Sequence, residues 1–162
     1  MFLITGNKLK KIHRLISTAF GLGYFPVAPG TAGSVAGLAL CLLLHKYVFL
    51  YIAVFIILFV LGLVSSGKFE TEIGIQDASF IVIDEFACIF LVYLGLPINV
   101  PLVVAGFLLY RIIDIIKLPP MKSLENLKWG WGIMLDDLVA AIYSNILLHT
   151  FIYFHAKLLG QG

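Results

Sequence analysis

Residues 47–66, YVFLYIAVFIILFVLGLVSS, are twenty in a row without a charge. At about 1.5 Å per residue, a helix of that length reaches across a hydrocarbon core of about 30 Å. A helix apolar on every side must be surrounded by protein interior or by lipid, and a chain of 162 residues has little interior to spare. The run therefore predicts a membrane-spanning segment. The remainder agrees, since 61% of the residues are hydrophobic and 12% charged, against roughly half and about a quarter in soluble domains.

Apolar runs and breakers divide the rest of the chain. A short apolar helix is expected at 32–45, followed by the long one at 47–66 and a polar segment, GKFETEIGIQDAS, at 67–79. Two further apolar runs, 80–96 and 101–118, are joined by GLPINVP, whose prolines mark a tight connection. After the loop PPMKSLENLKWGWG a last apolar run covers 133–156. Near the N-terminus, Leu9, Ile12, Ile16, Ala19 and Phe20 fall at helical spacing beside Lys8, Lys10, Lys11 and Arg14, the pattern of an interfacial helix facing anionic lipid. The fold class expected is all-α, a polytopic membrane bundle of about five membrane helices with an N-terminal interfacial helix. It is one domain over 1–162, with a basic arm at 1–25 and a helical core at 26–162. Cys41 and Cys88 lie inside apolar runs and imply no disulfide or metal framework. A net charge of +2 is too small to suggest nucleic acid as a partner.

With the N-terminus in the cytoplasm, Lys8, Lys10, Lys11, Arg14, Lys68, Arg111, Lys117, Lys122 and Lys128 fall on the inner side, and only Lys46 and Lys157 face out. That bias sets the orientation. All nine acidic residues collect near the same inner side, whereas His45, His149 and His155 do not, so a histidine mechanism at the acids is not expected.

Five of these acids, Asp84, Glu85, Asp114, Asp136 and Asp137, interrupt apolar runs. Unpaired, they would cost on the order of 10 kcal/mol on insertion scales. Arg111 and Asp114 are three apart and share a helix face, with Lys117 one turn further. Asp77 and Asp84, seven apart, would share a face if their helix starts early. Two cations do not balance five anions, and the remainder points to a hard divalent cation such as Mg²⁺. The stretch PVAPGTAGS adds a candidate phosphate cradle, in which Pro29 and Gly30 set a turn, Thr31 caps the next helix and N–H groups at 32–34 are free. Glu125, in the polar loop, is expected to be a bystander. A cation channel or transporter would also use membrane carboxylates, as the alternative to an enzyme.

PVAPGTAGS, DASFIVIDEF, YRIIDIIK and GWGIMLDD occur in an order and spacing similar to those of the phosphatidylglycerophosphatase A family, over about 20–145. The resemblance implies a Mg²⁺-dependent enzyme of the bacterial cytoplasmic membrane that converts phosphatidylglycerophosphate to phosphatidylglycerol and inorganic phosphate. It also implies catalytic roles for Asp77, Asp84, Glu85, Arg111, Asp114, Lys117, Asp136 and Asp137, with the site at the cytoplasmic face. In this reading Asp84, Glu85, Asp136 and Asp137 hold the metal, while Arg111 and Lys117, with Pro29, Gly30 and Thr31, bind the substrate phosphate. The chain departs from the family pattern at Leu118, which separates Lys117 from the prolines, and at Lys128 and Trp129.

Overall fold

The computed structural model describes residues 2–158, of which 2–7 by backbone alone; residue 1 and residues 159–162 of the expected domain lie outside the described residues. Among the described residues the chain is all-α, without strands. The helices are α1 (Phe2–Ser17), α2 (Pro29–Leu44), α3 (Val48–Ile73), α4 (Ile83–Val92), α5 (Val100–Ile116), α6 (Met121–Leu124) and α7 (Trp131–Leu158). Among the described residues, only α3 and α7 are both long and apolar enough to cross a membrane unaided. Along α3, Phe49, Ile52, Ile56, Ile57, Val60 and Leu61 remain exposed, as a lipid-facing surface requires.

The expected run at 47–66 is the first two-thirds of α3, but the helix does not stop there. It continues through Lys68, Glu70 and Glu72 to Ile73, because α1 packs along it and Gly67 accepts the close approach of Trp129. Gly74, at φ 68°, ends it with an N–H bond to Glu70 O of 2.9 Å.

α4 is the central element, packed by α2, α3, α5 and α7. Every residue of it is buried except Glu85 and Leu91, which are half-buried. With ten residues it is about 15 Å long, far shorter than the run expected at 80–96 and too short to cross a membrane. It can end within the bundle because carbonyls of its last turn, and that of Leu94 just beyond it, are met by side chains. Tyr51 Oη donates to Phe90 O, Asn145 Nδ2 donates to Val92 O and Leu94 O at 3.1 and 3.0 Å, and His149 Nε2 lies 3.2 Å from Leu94 O. These contacts satisfy main-chain groups that lipid could not.

The segment leading into α4 is bonded to the end of the N-terminal arm. Val82 N–H donates to Ser17 O at 2.9 Å, and a Cβ on Gly23 would strike Phe80 O. α4 therefore begins at Ile83, and Asp77, in the preceding loop, does not share a helix face with Asp84 as expected. At its other end, α1 stops at Ser17, so Ala19 and Phe20 lie in a left-handed turn and not on the amphipathic helix.

Candidate active site

Asp84 and Glu85 form the first turn of α4, where unpaired N–H groups and the helix dipole favour negative charge. α7 brings Asp137 to them. One carboxylate oxygen from each of Asp84, Glu85 and Asp137 can be chosen so that all three lie within 4.8 Å of one another. Asp84 and Asp137 are buried, at 6% and 3% exposure. Gly62 of α3 packs against the same level, since a Cβ there would stand 2.9 Å from Met134 Sδ and 3.2 Å from Ile83 Cγ1. The start of α4 is thus four residues inside the end of the apolar run at Ser66, about 6 Å along the helix.

α5 supplies the opposite wall. Its last turns carry Tyr110, Arg111 and Asp114, and Lys117 ends it in a left-handed conformation at φ 54°. Arg111 Nη1 is 3.0 Å from Asp114 Oδ2, the i,i+3 pair expected from the sequence, and 3.7 Å from Glu85 Oε1. It also donates to Ser34 Oγ on α2 at 3.4 Å, and Ser34 in turn donates to Gly30 O at 2.9 Å. Gly30 admits this arrangement by lacking a side chain, because a Cβ would collide with Glu85 Oε1 and stand 3.3 Å from Arg111 Nη2. Tyr110 Oη donates to Asp137 Oδ1 at 2.5 Å.

Adjacent residues on a helix point about 100° apart, and this separates the paired aspartates. Asp137 faces α4, while Asp136 Oδ2 accepts from Lys117 Nζ at 2.7 Å. Lys117 is also bonded to Glu125. The loop residue expected to be a bystander is therefore part of the site. Its main chain is held as well, with Gln76 Nε2 donating to Glu125 O at 3.2 Å.

The expected cradle is displaced by one turn. α2 starts at Pro29, not 32, with Ala28 as its uncapped N-terminal neighbour. Thr31 lies within the first turn and does not cap it. Ala32 N–H already bonds to Ala28 O, so the N–H groups left free by helix geometry are those of Gly30 and Thr31, not 32–34. Asp77 is exposed, at φ 49°, and its N–H donates to Glu70 Oε1 at 2.8 Å. Glu70 Oε2 accepts from Gly130 N–H at 3.0 Å, so one carboxylate joins the loops before α4 and α7.

The sequence marks no role for Tyr110, Ser34 or Glu70, and marks Glu125 only as a bystander. For Tyr110 a signal exists: a phenol one residue before a membrane arginine must find a partner. The other three depend on loop and helix contacts with no sequence signature.

Among the described residues Glu85 and Asp114 pair with Arg111, and Glu125 and Asp136 with Lys117, whereas Asp84 and Asp137 pair with no cation. Asp84 Oδ1, Glu85 Oε2 and Asp136 Oδ1 are buried without a hydrogen-bond partner. Of these, Asp84 and Glu85 belong to the cluster, and buried, unpaired oxygens on two of its three carboxylates fit a hard divalent cation.

A sequence model of the family described as Phosphatidylglycerophosphatase A matches residues 15–152. The chain is 37% identical over 158 residues to the phosphatidylglycerophosphatase A of Haemophilus influenzae, covering 91% of this chain and 96% of the relative. It is 33% identical over 145 residues to that of Escherichia coli, covering 88% and 84%. A Bacteroides thetaiotaomicron protein named "Putative phosphatidylinositol-3-phosphatase" is 39% identical over 143 residues, covering 83% and 89%. No solved structure matches the chain.

Proposed function

The chain belongs to the phosphatidylglycerophosphatase A family, and from that membership we propose that it is a Mg²⁺-dependent lipid phosphatase. It hydrolyses phosphatidylglycerophosphate to phosphatidylglycerol and inorganic phosphate. The observation that carries the proposal is the three-carboxylate cluster of Asp84, Glu85 and Asp137 beside Arg111.

Asp84, Glu85 and Asp137 would hold the ion. When bound, Mg²⁺ supplies positive charge to a phosphomonoester and acidity to a water. Arg111, fixed by Asp114, Glu85 and Ser34, presents its guanidinium to phosphate oxygens. Its Nε is buried and unpaired, leaving a donor available. The free N–H groups of Gly30 and Thr31, behind Pro29, add main-chain donors at the N-terminus of α2. Lys117 is a second phosphate contact, oriented by Asp136, which we reassign from the metal to this lysine. Asp77 or Asp114 accepts the proton of the attacking water. Commitment of Asp114 to Arg111 and the exposed carboxylate of Asp77 favour Asp77.

The bundle sits in the bacterial cytoplasmic membrane, crossing it several times with the N-terminus inside, and α1 rests on anionic lipid through its exposed lysines. The lysine and arginine bias supports this orientation. The depth of α4 below the end of the apolar run supports a phosphate held at the inner boundary. A conduction path would continue the acids outward, whereas α4 beyond Glu85 and α7 beyond Asp137 carry none.

The test is phosphate release by detergent-purified protein, with phosphatidylglycerophosphate and phosphatidylinositol 3-phosphate offered separately and in competition. Preference for the first substrate is expected. Preference for the inositol lipid would reassign the substrate, and release from neither would overturn the phosphatase reading.

A further inference from the structure

Tyr110 is the largest fully buried side chain. A buried hydroxyl needs an acceptor, and other tyrosines here meet that need with main-chain carbonyls: Tyr51 with Phe90 O, Tyr93 with Val103 O and Tyr143 with Pro119 O. Tyr110 differs. Its acceptor, at 2.5 Å, is a carboxylate oxygen of Asp137, one of the three clustered acids.

We propose that Tyr110 is a positioning residue for cation binding: its phenol occupies Asp137 Oδ1 and turns the other oxygen of that carboxylate toward Asp84 and Glu85. This rests on the reading of the cluster as a Mg²⁺ site. A carboxylate has two oxygens, and rotation about its last bond would otherwise let either approach a cation or swing toward Asp136. The phenol removes that freedom, because a short charge-assisted bond is strong and directional. It is also a donor without a formal charge. A lysine or arginine at that place would neutralise Asp137 and compete with a cation, whereas a tyrosine orients the carboxylate and leaves its charge available. α5 thereby contributes two neighbouring functions, the orienting phenol of Tyr110 and the guanidinium of Arg111, which reaches Glu85 on the other side of the cluster.

Tyr110→Phe keeps the ring and removes only the hydroxyl. The measurement is the Mg²⁺ concentration that gives half-maximal thermal stabilisation of the detergent-purified protein, a readout independent of turnover. Loss of a group that orients a metal ligand typically weakens metal binding by about 10- to 100-fold, so the midpoint should rise at least about tenfold. In an Asp137→Asn background the same change should not move it. A uniformly lower Tm with an unchanged Mg²⁺ midpoint would assign Tyr110 a packing role and overturn the proposal. A parent protein with no Mg²⁺ response would overturn the underlying metal reading instead.

Should the phenylalanine variant fail to fold, 3-fluorotyrosine placed at 110 alone in the parent gives a second measurement. Its fluorine resonance should broaden at the Mn²⁺ concentration that stabilises the protein, while the same label at Tyr153, near the far end of α7, stays sharp. A sharp signal at 110 under saturating Mn²⁺ would contradict the proposal.

Discussion

The Lys117 ammonium lies 2.7 Å from Asp136 Oδ2, and this contact turns two adjacent aspartates to different partners. Asp137 belongs to the clustered acids, and Asp136 holds a cation that reaches in from the end of α5.

The two asparagine substitutions should therefore separate. Asp137→Asn is expected to raise the Mg²⁺ requirement. Asp136→Asn should leave the Mg²⁺ midpoint in place and raise KM for the lipid, because Lys117 loses its buried anchor. Kinetics at several Mg²⁺ concentrations check this, and equal Mg²⁺ shifts in both variants would return Asp136 to the metal.

Glu125→Gln, silent for a bystander, is expected to give a graded effect because the side chain pairs with Lys117. The Lys117–Glu125 pair is about a third exposed on the glutamate side, so solvent limits it to about 1 kcal/mol, or about fivefold in KM. Steady-state kinetics with Lys122→Gln as a surface control measures it. Identical KM values for the parent and the Glu125 variant would make the contact structural.

Gly30→Ala places a methyl group against Glu85. Alanine suits a helix better than glycine by about 1 kcal/mol, so propensity alone would favour the variant. The expected outcome is loss of at least about tenfold in kcat/KM, equivalent to about 1.4 kcal/mol, with the protein still folded. Thr31→Ala, which removes no cap, should retain turnover; the reverse ranking would contradict the packing of α2 on Glu85.

The proposed orientation is open to labelling. With the buried cysteines Cys41 and Cys88 replaced by alanine, Ser123→Cys should react with an impermeant thiol reagent only from the cytoplasmic side, and Lys157→Cys only from the outer side. Reaction of both from one side would refute the proposed orientation.

What the sequence made legible follows from local chemistry. The uncharged run at 47–66 had no alternative to a long helix, and the i,i+3 spacing of Arg111 and Asp114 produced the observed pair. Clustering of acids from separate apolar runs was visible because each would otherwise be costly in lipid. The misses are tertiary. α4 stops at Val92, where Tyr51 and Asn145 take carbonyls of its last turn, and α3 runs on to Ile73 because α1 packs along it and Trp129 packs on Gly67. Likewise, a sequence that reads DD does not reveal that one carboxylate turns to Lys117 and the other to α4.

The central claim is that Asp84 and Asp137 serve chemistry and not architecture. Asparagine keeps their shape and removes a charge that is costly in lipid, so on insertion cost alone each variant should be at least as stable as the parent. The decisive measurement is phosphate release from phosphatidylglycerophosphate, with thermal stability read on the same detergent-purified samples, before and after EDTA and on re-addition of Mg²⁺. The account predicts that EDTA abolishes release and Mg²⁺ restores it. It also predicts that Asp84→Asn and Asp137→Asn lose at least about 100-fold in turnover, about 2.7 kcal/mol of transition-state stabilisation, without loss of stability. Full activity in demetallated protein, or turnover of both variants within about threefold of the parent, would contradict it.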